Sequence, residues 1–225
     1  MTQVSEDVAV TVVRISATSN RVRVVGEERH DVSVEGRSRV TSEGIVTTID
    51  SVRSPLVVRV PLRTDLVVGA TSAGVTIEGQ VGQVAVVTES GRVSIASAAS
   101  IDVRTTSARV AVGHVAEGCR IRTTSGRVEV GGCGAADVST RSGRIDLKGV
   151  RGPVRAHCVS GRIEVGLESA QDVEAETVSG RVTVSLPPGV RAHRPTGPSD
   201  AAAPPDCDCT IRARSVSGRV VVSSG

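Results

Sequence analysis

Two rhythms of apolar residues run along this chain. The short one has a period of two: in Ile121-Arg122-Thr123 and Val128-Glu129-Val130, small or apolar residues alternate with polar ones. Alternation of that kind puts one set of side chains on each face of a β-strand. The long rhythm is marked by a serine at 72, 90, 107, 125, 142, 160, 179 and 217, so the steps are 17–19 residues except for a last step of 38. The positions four and two before each serine, and three and five after it, stay small or apolar. Around Ser125 they are Ile121, Thr123, Val128 and Val130; around Ser160 they are Ala156, Cys158, Ile163 and Val165. Strand alternation repeated at this interval predicts a solenoid whose coils stack and bury one continuous core.

The expected fold is all-β: a single-stranded right-handed β-solenoid of roughly eight coils with an irregular N-terminal β cap. Its repeated corner is Ser90-Gly91, Ser125-Gly126, Ser142-Gly143, Ser160-Gly161, Ser179-Gly180 and Ser217-Gly218, with Ser107-Ala108 as a near copy. The serine is predicted to end one strand pointing inward, with its hydroxyl bonded to a neighbouring coil. The glycine permits the bend, at positive φ if required. Residues 1–65 also alternate, in Val8–Ser16, Arg21–Gly26, Asp31–Gly36, Gly44–Ile49 and Leu56–Val60, but without the repeat. They are expected to form the cap within the same domain, and 66–225 the solenoid. Residues 186–206, rich in Pro, Ala and Gly, fill the long step and read as an exposed excursion from the last coil.

Composition sharpens this picture in three places. The chain has 225 residues and no Phe, Tyr or Trp. Aromatic rings are the largest core fillers, so the core is expected to be thin and filled by Val, Ile, Leu, Thr and Ala. The net charge is only +3, but Lys148 is the sole lysine, so the positive charge is carried by arginine. The N-terminus lacks a signal-type apolar run, and no stretch approaches the roughly 20 apolar residues of a membrane span. The expectation is a cytoplasmic protein with no membrane segment.

The stretch "VRVPLRTDLVVGATSAGVTIEG", the serial Ser-Gly-Arg-Val and Ser-Gly-Arg-Ile units, "VSLPPGVRA" and the terminal "ARSVSGRVVVSSG" resemble the bacterial putative-adhesin repeat family, a widespread domain of unknown function. The resemblance runs from about Val8 to Gly225. It implies a toast-rack-like β-solenoid, an envelope-associated or regulatory setting that allows peripheral envelope association, and no catalytic residue to carry over.

Candidate chemistry is sparse. No Walker loop, nucleophile elbow, zinc-protease helix or dinucleotide fingerprint occurs. A serine in every coil reads as stacking, since a nucleophile needs a base beside it. No enzyme and no cofactor are expected. The strongest binding candidate is the outward column Arg92, Arg109, Arg127, Arg144, Arg162, Arg181 and Arg219, two residues after each serine. Stacked coils would set these about 4.8 Å apart. Such a row is either a solvated face that resists aggregation or a strip for an acidic or phosphate-rich polymer. Glu129, Asp146 and Glu164 share the next outward column, where they would neutralise arginines.

Of the five cysteines, Cys207 and Cys209 form the one sharp cluster: a weak soft-metal or redox candidate, or two small residues entering a strand. The four histidines are scattered, with His157 predicted to point outward. Without aromatic rings the chain offers no stacking platform for single-stranded nucleic acid. The function expected is a non-enzymatic scaffold or adhesin-like interaction module. The alternatives are a binder of an anionic polymer along the arginine column, or a metal or redox sensor at Cys207 and Cys209. Partners would be another protein, such a polymer, or a second copy paired through the C-terminal coil.

Overall fold

The computed structural model describes residues 2–4, 12–18, 21–51, 54–195 and 206–224. Those residues form thirteen strands and no helix. The chain divides into two compact units, Met1–Ala116 and Glu117–Gly225. The long strand β9 (Gly74–Val150) contributes to both, because its hydrogen-bonded ladder continues through the coil corners.

In the first unit, chain order and stacking order differ. Strands β2 (Val12–Ala17) and β3 (Arg21–Glu27) make one coil; β6 (Val46–Ser51) and β7 (Leu56–Pro61) make another. β2 pairs in parallel with β6 on one side and with β8 (Asp65–Ala70) on the other. β3 likewise lies between β7 and the start of β9. The earlier coil is thus sandwiched between two later ones. Residues 1–65, expected as an irregular cap, therefore hold two parallel coils with the same inward alternation: Val13, Ile15, Val22 and Val24 in one, Ile49, Leu56, Val58 and Val60 in the other, all fully buried.

The antiparallel strands lie at the outer edge. β4 (Val32–Glu35) pairs with β7 and with β1 (Thr2–Val4), and β5 (Arg39–Glu43) pairs with β6. The reversal into β6 is a two-residue turn, since Glu43 and Val46 are register partners. Gly44 takes φ 57° at its first position, as a type II′ hairpin turn requires.

The second unit keeps chain order. The 117–150 part of β9, then β10 (Val154–Leu167), β11 (Val173–Leu186) and β13 (Cys209–Ser224), pair in parallel, each shifted by one coil. The four predicted inward columns are buried in its inner coils: Ile121, Thr123, Val128 and Val130, then Val138, Thr140, Ile145 and Leu147, then Ala156, Cys158, Ile163 and Val165. Two further columns also turn inward. One lies six before the serine (Cys119, Ala136, Val154, Val173, Ile211), the other seven or eight after it (Cys133, Val150, Leu167, Leu186). They close the coil where the chain turns away from the corner.

The serines differ from expectation. Ser142, Ser160, Ser179 and Ser217 are exposed, and Ser125 is half-buried. At three corners the inward hydroxyl belongs to the threonine two residues earlier, which donates to the serine's own carbonyl: Thr123 to Ser125 at 2.8 Å, Thr140 to Ser142 at 3.4 Å and, in the first unit, Thr88 to Ser90 at 3.0 Å. Threonine can turn its methyl to the core while the hydroxyl closes the bend. Ser90 does reach the next coil, donating to Ser72 Oγ at 3.3 Å, but from the exposed side.

The excursion begins one residue later than expected, because Leu186 is the buried end of β11. Within it, β12 (Ala192–His193) pairs with Cys209 and Thr210 of β13. Residues 196–205 of the predicted excursion lie outside the described residues.

Candidate functional site

The corner glycines fix the floor of the site. Gly143, Gly161 and Gly180 have φ of 153°, 153° and 156°. A Cβ on Gly161 would stand 1.8 Å from the carbonyl oxygen of Gly143, and one on Gly180 the same distance from that of Gly161. Only bare backbone allows the coils to stack this closely at the bend. The glycine ladder floors a shallow groove of about 560 Å³, which Arg162, Arg181 and Arg219 flank.

Within the second unit the arginines stand in strict register: Arg144 opposite Arg162, Arg162 opposite Arg181, Arg181 opposite Arg219. Arg127 and Arg144 are half-buried; Arg162, Arg181 and Arg219 are exposed. Arg92 and Arg109 are exposed in the first unit. There, Arg92 shares a second groove with Arg21, Arg23 and Glu78, but Arg23 already makes a two-point ion pair to Glu78 at 2.7 and 3.0 Å.

Charge is not even along the ladder of the second unit. Arg127 pairs with Glu129 at 3.3 Å, and Glu164 accepts from Arg144 at 2.7 Å and from Arg162 at 3.5 Å. The Arg144 hydrogen bond, more than any other influence, holds the Glu164 carboxyl below the usual carboxylate range. Reciprocally, that bond raises the Arg144 guanidinium. Past Glu164 the acidic column ends: its register partner on β11 is Thr183, and Thr183 in turn faces Val221 on β13. Among the described residues neither Arg181 nor Arg219 makes an ion pair. The predicted column therefore has a neutralised stretch and a bare one.

Sequence reasoning missed one feature beside this ladder. Val159, Val178 and Val216, each just before the serine, are 39%, 46% and 84% exposed. The signal was present in the thrice-repeated Val-Ser-Gly-Arg, whose valine falls on the outward parity.

The structure lends the cysteine candidate no support. Cys209 is buried and Cys207 half-buried. Burial, the main cause, pushes the Cys209 thiol up, and the nearby Asp172 and Asp208 push the same way. A redox-responsive thiol needs the opposite shift. Among the described residues, no three His, Cys, Asp or Glu side chains are grouped to hold a metal. Cys119, Cys133 and Cys158 are core residues; desolvation raises the Cys133 thiol to about 11. Of the histidines, His157 is exposed as predicted and His193 is buried.

No helix among the described residues is long and apolar enough to cross a membrane. No curated protein matches the chain. Two solved structures are similar to it. A putative adhesin from Bacteroides fragilis is 10% identical with a TM-score of 0.31, covering 94% of this chain and 91% of that one. A putative cell adhesion protein from Clostridium sporogenes is 8% identical with a TM-score of 0.22, covering 96% and 94%. The sequence model of the Toastrack family DUF4097, a β-solenoid domain, matches residues 1–195, and the chain belongs to that family.

Proposed function

We propose that the chain is a non-enzymatic, adhesin-like interaction module whose contact surface for an anionic partner is the bare end of the arginine ladder. The observation that carries this reading is the in-register pair Arg181 and Arg219, which lacks the carboxylates that neutralise Arg127, Arg144 and Arg162. Arginines at strand spacing with no acid between them repel one another by about 1 kcal/mol per exposed contact before screening. An acidic partner removes that repulsion and gains charge-assisted hydrogen bonds. The glycine floor leaves room for it to approach.

Retention on immobilised polyglutamate, followed as salt is raised, tests this. The double variant Arg181→Ala/Arg219→Ala is expected to elute at clearly lower salt than wild type. The control Arg104→Ala/Arg155→Ala removes two exposed arginines that already have acidic partners, Asp102 and Glu174. It is expected to elute close to wild type. Equal elution of the two double variants would defeat the reading.

A further inference from the structure

We propose that the open edge of β13 at Arg219–Ser224 is a docking site for an extended segment in which acidic and apolar residues alternate, added as one more strand. This rests on the anion-binding reading above and names the class of partner.

Backbone, core and charge each leave a vacancy at the same place. On one side β13 is paired with β11 from Ile211 to Ser224. On the other, β12 covers only Cys209 and Thr210, and no other described strand pairs there. A row of unpaired N–H and C=O groups is a template for an added strand. The inward residues of this edge are also uncovered. Val220 and Val222 are half-buried, while their register partners Val182 and Val184 are fully buried between two coils. Outward, Val221 stands where Glu164 stands two coils earlier, so Arg219 has no carboxylate two residues on.

A strand reading acid–apolar–acid–apolar fills all three vacancies together. Its amides complete the ladder, its apolar side chains cover Val220 and Val222, and its carboxylates face Arg219, the arginine of the adjacent coil. The chain's own Arg162-Ile163-Glu164-Val165 shows this alternation meeting an arginine column, with Glu164 bonded to Arg144 of the neighbouring coil. A second copy of β13 fits the charge less well: residues 209–224 contain no Asp or Glu, so it would bring more arginine to Arg219. A polyanion without strand-forming backbone would satisfy the arginines and leave the edge and the valines bare.

The test uses the full chain and a labelled, monomeric peptide of about eight residues alternating Val and Glu. Its controls are a Val–Lys counterpart and two N-methylated forms, one for each set of alternate amides. Binding is read by fluorescence anisotropy, and amide hydrogen exchange is followed at 219–224. The Val–Glu peptide is expected to bind and to slow exchange there. The Val–Lys peptide is expected not to bind. One N-methylated form should bind at least about tenfold more weakly, as loss of edge hydrogen bonds dictates. Val221→Glu, which restores the acid of the inner coils at an exposed position, should weaken binding by a similar factor.

Equal binding of all three Val–Glu forms, or unchanged exchange at 219–224, would overturn strand addition. The arginine reading would survive that outcome, because polyglutamate retention depends on charge alone. Failure of both the peptide and the polyglutamate experiment would remove the two together. A dimer that forms without peptide, protects the same amides and is not displaced by it would make a second copy the occupant and overturn the proposal.

Discussion

The coils around Ser160 and Ser217 spell the same corner, Val-Ser-Gly-Arg, in nearly the same register, yet they present different surfaces. The Ser160 coil has a strand on each side, and its inward Ile163 and Val165 are sealed. Its Arg162 shares Glu164 with Arg144. Among the described residues the Ser217 coil has a strand on its second side only at Cys209 and Thr210, its inward Val220 and Val222 are half-buried, and its Arg219 has no acidic partner. The same Val-Ser-Gly-Arg corner thus belongs to a sealed coil where neighbours cover it and to an open-edged one where they do not. The difference comes from stacking, and from a single column in which Glu gives way to Thr and then Val.

Buried charge separates the two coils most sharply. Ile145→Asp puts a carboxylate into a position with no solvent exposure, and should cost about 3 kcal/mol or more. Val220→Asp occupies the same column in the half-exposed coil, where the carboxylate keeps much of its water. Its cost should be nearer 1 kcal/mol. Chemical denaturation of the two variants measures the gap, and equal losses would mean that β13 is as well covered as the coils before it.

The glycines should give a smaller split. Gly161→Ala must hold an L-residue at φ 153° with its Cβ driven against the Gly143 carbonyl. Both faces of that coil are stacked, so neither neighbour can give way, and about 2–4 kcal/mol should be lost. Gly218→Ala meets the Gly180 carbonyl just as closely, but β13 has an uncovered side toward which it can shift. Roughly half the loss is expected. A larger loss from Gly218→Ala than from Gly161→Ala would show that the corner of β13 is held from its outer side as well.

These contrasts show how far the sequence carried. The solenoid and its four inward columns were legible because strand alternation is a local property: Val128 and Val130 must share a face whatever surrounds them. Two features were not. The swapped order of the coils holding β2 and β6 depends on which strands meet, and their alternation is silent about partners. The serine side chain was misread because parity was carried into the bend, where the chain turns the corner and strand alternation no longer fixes which side a residue faces. The arginine column was visible as a set, whereas its neutralised and bare halves depend on which coil a carboxylate reaches. Glu164 bonds Arg144, 20 residues away, more closely than it bonds Arg162 beside it.

That cross-coil bond gives the smallest effect and the one with a definite pH sign. The Glu164 carboxyl lies below its ordinary value in the folded chain, chiefly through the Arg144 hydrogen bond. A depressed folded value means that the unfolded chain binds the proton more readily. The stabilisation is therefore present in full above the unfolded carboxylate range, and is lost as pH falls through the folded value. Both partners are about one-third exposed, so the contribution should stay under about 1 kcal/mol and shrink in salt. Glu164→Gln should lower stability slightly at neutral pH and converge with wild type in acid. Thr183→Gln, one coil on, replaces a side chain with no charge to lose and should show no such convergence. Parallel stability–pH curves for wild type and Glu164→Gln would mean that the ladder's inner arginines are not held by this carboxylate, and the distinction between the neutralised and bare stretches would fall with it.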